Sequence, residues 1–470
     1  MIQLRSYQVD AVEAARKLMR DGCRSLIICA PTGSGKTALA ASMLHTAASK
    51  GMRSWFNCHR RELIKQSITA FRLEGLQTGT VAAGFRSNFR ALVQITSIQT
   101  LAKRFKDLHE PRLMVWDECH HIAAGSWAKI RAAFPNAYHI GLTATPQRLD
   151  GKGLRKWFDQ IVMGPSVKWL IENNFLAKFR LYAPPGQIKT DNIEIQLGDF
   201  NRAQLEEAAN KPTITGDAIQ HYLRYGAGKR AVVFCTSIQH SLKVVEQFKA
   251  AGIPAAHVDG ETDAYERDEA VEKFRRGETR VLSNVELFGE GFDLPAIEVA
   301  ILLRPTKSLG LYLQQCGRAL RPYPGKREAI ILDHAGNCKE HGLPDEEREW
   351  DLDGRKKKGG GKTGMPTRTC PECFAVQSAA NTVCPYCGCA FEGKPRTVAY
   401  VEGELQEVNR KEFEEQRERQ VKEQQARDRR REQAKAQTLE ELEAVAAARG
   451  YKKGWAKYIF EARQRKAGVI

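Results

Sequence analysis

The sequence predicts an α/β chain: two doubly wound parallel-sheet domains in tandem, then a small cysteine-rich module and a helical tail. Three observations carry that prediction. Residues 1–345 alternate short, continuous apolar runs with helical stretches. Composition shifts after Pro344 toward charge and glycine. Five of the twelve cysteines crowd between Cys370 and Cys389.

The first set of apolar runs is Ser25–Cys29, Ser54–Cys58, Leu92–Thr96, Leu113–Trp116 and His139–Leu142. The second is Ala231–Cys235, Ala255–Val258, Val281–Ser283, Val299–Leu303 and Ile330–Asp333. Strands that are apolar throughout, rather than alternating, belong to sheets covered on both faces, and helices between them make such sheets parallel. The two sets place domains at 1–165 and 216–345. The weaker periodicity of 166–215 reads as a bridging segment. Residues 346–367 include DLDGRKKKGGGKTG and read as a flexible basic linker. A module at 368–392 holds the cysteine cluster. A charged helix is expected over 404–436, where fourteen of residues 411–431 are charged and Phe413, Val421 and Ala426 are the apolar exceptions. So narrow a stripe cannot be buried. Residues 437–470 read as a basic helical hairpin with Leu439, Leu442, Val445 and Ala446 on one face. Its Tyr451, Lys452, Lys453, Trp455, Lys457 and Tyr458 either stack on a strand or let Trp455 and Tyr458 form the hairpin core.

Charge and composition narrow the function. Lys+Arg number 73 against 56 Asp+Glu, a net of +17, which favours a polyanion such as nucleic acid. The excess is spread over the chain: 48 basic against 38 acidic residues up to 350, and 25 against 18 after it. Hydrophobic residues at 42% exclude a wholly disordered chain. No apolar run reaches the ~18 residues of a membrane span. The N-terminus lacks the apolar core of a secretory signal. Seven cysteines are scattered singly, several of them in apolar runs, and fit a reduced, cytoplasmic setting; no membrane partner is expected.

The most informative local pattern is Ala30-Pro-Thr-Gly-Ser-Gly-Lys-Thr37, between the strand Leu26–Cys29 and a helical run from Ala38. Small residues Thr32, Gly33, Ser34 and Gly35 let backbone N–H groups curl around a phosphate, and a helix N-terminus adds its positive end. Lys36 would reach the β- and γ-phosphates and Thr37 would bind Mg²⁺. Eighty residues on, the apolar strand Leu113–Trp116 delivers Asp117 and Glu118 to its C-terminal end, where open α/β sheets bind ligands. Asp117 suits a metal and Glu118 a base that aims water at a phosphate. His120, His121, Thr143 and Thr145 could be no more than capping groups at strand ends, and His121 is read that way.

Cys370-Pro-Glu-Cys373 and Cys384-Pro-Tyr-Cys387 form two knuckles ten residues apart, with Cys389 to spare. Such turns place four thiolates around a structural Zn²⁺ with no open position.

Taken together, these elements resemble superfamily 2 helicases and translocases of the DEAD/DEAH-box type, over nearly all of residues 1–340. Leu4-Arg-Ser-Tyr-Gln8 is similar to the glutamine element that recognises adenine, implicating Gln8. The loop at 30–37 resembles motif I, where alanine is a familiar first residue, and Asp117-Glu-Cys-His120 resembles motif II. His59–Leu63 with Gln66 resembles motif Ia, Ile95–Thr100 the next strand-contact motif, and Leu142–Pro146 motif III. Val233–Thr236, Phe288–Asp293 and Gln314–Arg321 are similar to motifs IV, V and VI. Gln315 replaces the arginine of many relatives, which leaves Arg318 and Arg321 as the arginine pair. The resemblance implies two tandem RecA-like domains closing on ATP and Mg²⁺, with Gly291 and Asp293 also at the nucleotide. It implies strand contacts from Arg60, Thr96, Ser97, Thr236 and Ser283, and coupling through Thr143 and Thr145. Ala300–Ser308 and Ile331–Asn337 look closest to RadD-like proteins, whose helicase cores precede cysteine clusters. That implies single-stranded or branched DNA as partner, in repair, recombination or phage replication. RNA is the alternative, since the motifs do not distinguish sugars. A restriction-subunit motor shares the core, but no nuclease-like carboxylate–lysine group follows residue 345. A binding scaffold with a degenerate ATPase conflicts with the intact acidic and basic residues. The cysteine module or tail could engage a protein partner.

Overall fold

The computed structural model describes residues 3–148, 151–183, 195–196, 199–200, 212–285, 294, 296–354, 367–369, 376–378, 406–407, 414–415, 418–419, 436, 438–450 and 454–466. The chain divides into two compact units, Met1–Gln406 and Glu407–Ile470.

The first unit holds two parallel sheets. The elements of its first half are α1 (Ser6–Arg20), β1 (Ser25–Cys29), α2 (Lys36–Ser49), β2 (Ser54–Cys58), α3 (Arg61–Leu73), β3 (Thr78–Val81), β4 (Val93–Ser97), α4 (Ile98–Arg104), β5 (Leu113–Asp117), α5 (Gly125–Ala133), β6 (Tyr138–Thr143) and β7 (Gln160–Met163). Their strands lie in the order β3-β4-β2-β5-β6-β1-β7, every pair parallel. The five predicted strands form its centre. The two extra strands lie at its edges, and neither β3 nor β7 carries a long enough apolar run to stand out in sequence. Ile27, Ile28, Phe56, Val115 and Trp116 are fully buried between helices on both faces, each burial worth roughly 1.5–3 kcal/mol.

The second half follows with α6 (Val167–Glu172), β8 (Lys178–Ala183), β9 (Ile195–Gln196), β10 (Asp199–Phe200), α7 (Pro212–Gly226), β11 (Ala231–Phe234), α8 (Ile238–Ala250), β12 (Ala255–Val258), α9 (Ala264–Arg276), β13 (Val281–Asn284), β14 (Val299–Leu302), α10 (Leu309–Leu320), β15 (Glu328–Asp333) and α11 (Asn337–His341). Six strands of its sheet run β12-β13-β11-β14-β15-β8. The bridging stretch thus contributes a strand to the second sheet: β8 pairs parallel with β15, Lys178 opposite Glu328 through Tyr182 opposite Leu332. Only three of its residues, Leu181, Tyr182 and Ala183, are buried, which is why its hydrophobic pattern is faint.

After α11 the chain returns to the first domain. Arg348 donates to the carbonyls of His341, Leu343, Pro344 and Glu346 and so fixes the start of this strap. Leu352, 1% exposed, then packs into the core beside β5 and α5. Arg155 N–H donates to Leu352 O at 2.9 Å, and its guanidinium pairs with Asp353 through Nε at 3.1 Å and Nη2 at 3.3 Å. A methyl group on Gly153 would lie 2.0 Å from Leu352 O, so only glycine admits the strap there. Residues 346–354, expected to open a flexible linker, are anchored. A two-stranded antiparallel hairpin pairs β16 (Thr367–Thr369) with β17 (Val376–Ser378).

In the second unit, α12 (Leu439–Arg449) and α13 (Trp455–Lys466) form the expected hairpin around Leu442 and Ala456. Thr438 caps α12 reciprocally with Glu441 at 3.2 Å each way. Trp455 packs with that core, whereas Tyr458 is 70% exposed. Trp455 therefore joins the hairpin core and Tyr458 does not. The charged helix of 404–436 lies largely outside the described residues, with helical turns at Glu414–Glu415 and Glu418–Arg419. No described helix is long and apolar enough to cross a membrane.

Candidate active site

Three neighbouring strands, β5, β6 and β1, end side by side. Cys29 lies opposite Thr143, and Asp117 opposite Leu142. The loop after β1 therefore lies next to the carboxylates after β5 and the threonines after β6. This follows from a parallel sheet, in which all C-terminal strand ends face one crevice.

The loop is held open by its own backbone and by α1. Gly35 has φ 79°, a left-handed conformation that leads into α2. Gln8 Nε2 donates to Ser34 O at 2.9 Å and Gly35 O at 3.3 Å, and Tyr7 Oη donates to Ser34 O at 2.9 Å. Gln8 thereby joins Thr32, Gly33, Ser34 and Gly35 in one assembly. Tyr7 was not anticipated, although its place beside Gln8 was the available signal. Its ring packs edge-on against Trp169 and Phe175. The Lys36 ammonium donates to Ala30 O at 3.1 Å and Pro31 O at 3.4 Å, within the curl of the loop. Thr37 follows in the first turn of α2.

Asp117 and Glu118 are both buried. Burial, then the neighbouring Glu118 carboxylate, push the Asp117 pKa up to about 7 against the pull of Lys36 and His59. Glu118 takes a left-handed backbone, φ 50° and ψ 52°, a cost of roughly 1–2 kcal/mol for a non-glycine residue. Its Oε2 lies 3.4 Å from His120 Nδ1 and accepts no hydrogen bond among the described residues. His120 Nδ1 lies 3.1 Å from Thr143 Oγ1. That hydroxyl already donates to Thr145 O at 3.0 Å, so it accepts a hydrogen from His120. Thr145 N–H donates to it in turn at 3.1 Å. His120 thus bridges Glu118 and the two threonines, more than a cap. His121 packs at tilted angles against His59, His120 and Trp127.

The second half meets this site through α10. A methyl group on Gly317 would lie 2.8 Å from Thr32 Cβ. One on Gly33 would lie 3.5 Å from Arg321 Cγ, and one on Gly310 would lie 3.0 Å from Thr145 Oγ1. Arg318 is buried in the same helix. Two ion pairs join α3 to α9: Lys65 Nζ to Asp268 at 2.7 Å, and Glu62 with Arg267.

Three of the five residues expected to meet a strand are buried. Thr96 is fully buried and donates to Asn57 Oδ1 at 2.8 Å. Ser283 is fully buried, 2.6 Å from Ser241 Oγ and 3.3 Å from Cys235 Sγ. Thr236 is buried against His240 Nδ1 at 3.0 Å. These side chains are engaged within the protein and brace the sheets. Arg60 and Ser97 sit at the ends of β2 and β4, only partly buried. Ser97 donates to Gln99, which donates to His59 O. Gly291, Asp293, Cys370, Cys373, Cys384 and Cys387 lie outside the described residues.

Residues 1–148 match the family model for the res subunit of type III restriction enzymes, and residues 215–323 match the helicase conserved C-terminal domain. The chain belongs to the superfamily 2 helicases. This helicase is 35% identical over 389 residues to a 51.5 kDa protein of a Lactococcus phage, with 82% of each chain covered. It is 28% identical over 354 residues to IRC3 of Saccharomyces cerevisiae, named for an ATP-dependent helicase, over 71% of this chain and 51% of that one. It therefore spans about half the length of the yeast relative. A fragment from Vibrio vulnificus, named as the HsdR subunit of a type I restriction enzyme, shares the fold with a TM-score of 0.58 at 21% identity, over 75% of this chain and 67% of that one. The helicase is an ATP hydrolase, and its two α/β domains are RecA-like.

Proposed function

We propose that the helicase couples ATP hydrolysis to movement along a DNA strand, with hydrolysis governed by closure of its two domains. One observation carries this reading: α10, with Arg318 and Arg321, packs directly on the phosphate loop of the other domain. An arginine supplied across a cleft neutralises charge that develops only in the transition state, so turnover requires closure. Gln8 orients the adenine end while the amides of Thr32–Gly35 and Lys36 hold the phosphates. The Glu118 oxygen that accepts no hydrogen bond is the base that orients the attacking water. The residues fit Mg²⁺ at Thr37 and Asp117, because a carboxylate forced toward neutrality by burial and a like charge is one that a cation would ionise. The metal would spread the charge of the transferring phosphoryl group. Thr143 and Thr145, linked to Glu118 through His120 and touching Gly310, relay the state of the site to the second domain.

Arg60 and Ser97 would meet the strand, with sequence-independent contacts to its phosphates. DNA is favoured over RNA by the likeness to two restriction-system motors. The phage relative suits a role in phage replication, repair or recombination in a bacterial cytoplasm. We also infer that Cys370, Cys373, Cys384 and Cys387 hold a structural Zn²⁺. Support comes from the spacing and from β16 and β17, which flank the first knuckle as an antiparallel hairpin. The test is ATPase activity with oligo(dT) and oligo(U) of equal length. Greater stimulation by oligo(dT), abolished in Lys36→Ala, is expected. Equal or greater stimulation by oligo(U) would displace the DNA reading, and unchanged turnover in Lys36→Ala would sink the site.

A further inference from the structure

The end of α10 is held by an unusual donor. Lys326 follows the helix on the turn Tyr323–Lys326, closed by Lys326 N–H to Tyr323 O at 3.0 Å. Its ammonium donates to three carbonyls: Ala319 O, Arg321 O at 2.8 Å and Ile297 O at 2.7 Å. The last carbonyls of any helix lack intrahelical partners. Here Lys326 takes two at the helix end, and Ala177 N–H takes Leu320 O between them at 2.8 Å. The third carbonyl belongs to Ile297, just past Asp293 and before β14. One cation therefore fixes the backbone on which Arg318 and Arg321 ride, relative to the segment that follows motif V.

We propose that Lys326 is a positioning residue for ATP hydrolysis, setting where the arginine pair meets the γ-phosphate when the domains close. The proposal rests on the reading of Arg318 and Arg321 given above. Lysine suits the task because an ammonium carries three donors and no acceptor. The amine left by deprotonation has two donors and turns a lone pair toward the third carbonyl.

The surroundings put that loss within reach of ordinary pH. Burial, resisted by Glu298 and reinforced by Arg321, Arg230 and Lys229, pushes the Lys326 pKa down to about 7. Arg230 stacks its guanidinium on Tyr323 at 4.7 Å, and Glu298 lies 3.8 Å from Lys229 and 3.9 Å from Arg230. The three-donor form therefore exists below that pKa and is lost as pH rises through it. Arginine, charged at any working pH, keeps its donors.

The experiment measures kcat and KM for ATP with saturating oligo(dT) from pH 6 to 9, alongside thermal melting. Lys326→Met should lower kcat on the order of tenfold to a hundredfold with KM for ATP unchanged. Lys326→Arg should restore most of that loss and flatten the alkaline decline of the wild type. A wild-type kcat in folded Lys326→Met overturns the proposal. So does an alkaline limb in Lys326→Arg that matches the wild type, and this second arm decides the matter if the methionine variant does not fold. Arg321→Ala is the separate control. Full turnover in that variant would remove the arginine assignment itself, however the Lys326 variants behave.

Discussion

Two aspartates at the C-terminal ends of strands, one in each sheet, are treated in opposite ways. Asp117 ends β5 and is pushed up to about 7 by burial and by Glu118. Asp259 follows β12, and although burial pushes it upward, donors from Thr262 and His257 hold it below the usual carboxylate range. Its Oδ1 accepts from Glu261 N–H, Thr262 N–H and Thr262 Oγ1 at 2.7–2.9 Å. Around it runs a hydrogen-bonded network, Ser283 to Ser241 to His257. The two sheets share one architecture, yet the end of β5 leaves its carboxylate pair short of donors whereas the turn after β12 satisfies Asp259. A buried acid with its donors supplied is structure. One without them is held ready for something else.

Four substitutions would break or sharpen that contrast. Glu118→Gln removes the base and should cut kcat by roughly a thousandfold or more while ATP still binds, as single-turnover hydrolysis and filter binding would show. Gly317→Val places branched carbon against Thr32 across the cleft. It should cost on the order of a hundredfold in kcat without changing the melting of either sheet. Asp117→Asn should end Mg²⁺-dependent hydrolysis yet stabilise the nucleotide-free protein at pH 8. The sign follows from a folded pKa raised above its ordinary value of 3.8. Ionisation then disfavours the folded state as pH climbs from about 4 to 7, and at about 1.4 kcal/mol per pKa unit the gain is on the order of a few kcal/mol. Denaturant melts at pH 5 and pH 8 should show a gain that is clearly larger at the higher pH. Ser241→Ala, in the satisfied network, should lose about 1–3 kcal/mol of stability and leave kcat near wild type. A large catalytic loss there would mean that the second network is more than a brace.

The sequence carried the parts of the site that are local. The phosphate loop and the Asp117–Glu118 pair need only a strand, a few residues and a turn, and both appear as expected. Strand existence was legible for the ten apolar runs and not for β8, only half of whose residues are buried. Side-chain direction was the main loss. Thr96 and Ser283 stand in or beside motif segments, but whether a hydroxyl near a strand end points up toward a ligand or sideways into the core depends on neighbours far along the chain. The same holds for His120, whose partner Thr143 is 23 residues away. Lys326 and Leu352 could not be found this way, because each matters through contacts with segments that no local pattern connects to it.

The strap over Gly153 bears on how the cleft can open. A body joined to another by one flexible connection can swivel about any axis through it. The RecA-like halves are joined twice, by the chain through α6 to β8 and again where residues 348–352 pass from the Arg348 anchor to buried Leu352. Four residues reach no further than about 14 Å when fully extended. While Leu352 stays docked, this second connection limits how far the second half can swing from the first, so α10 stays within short reach of the phosphate loop.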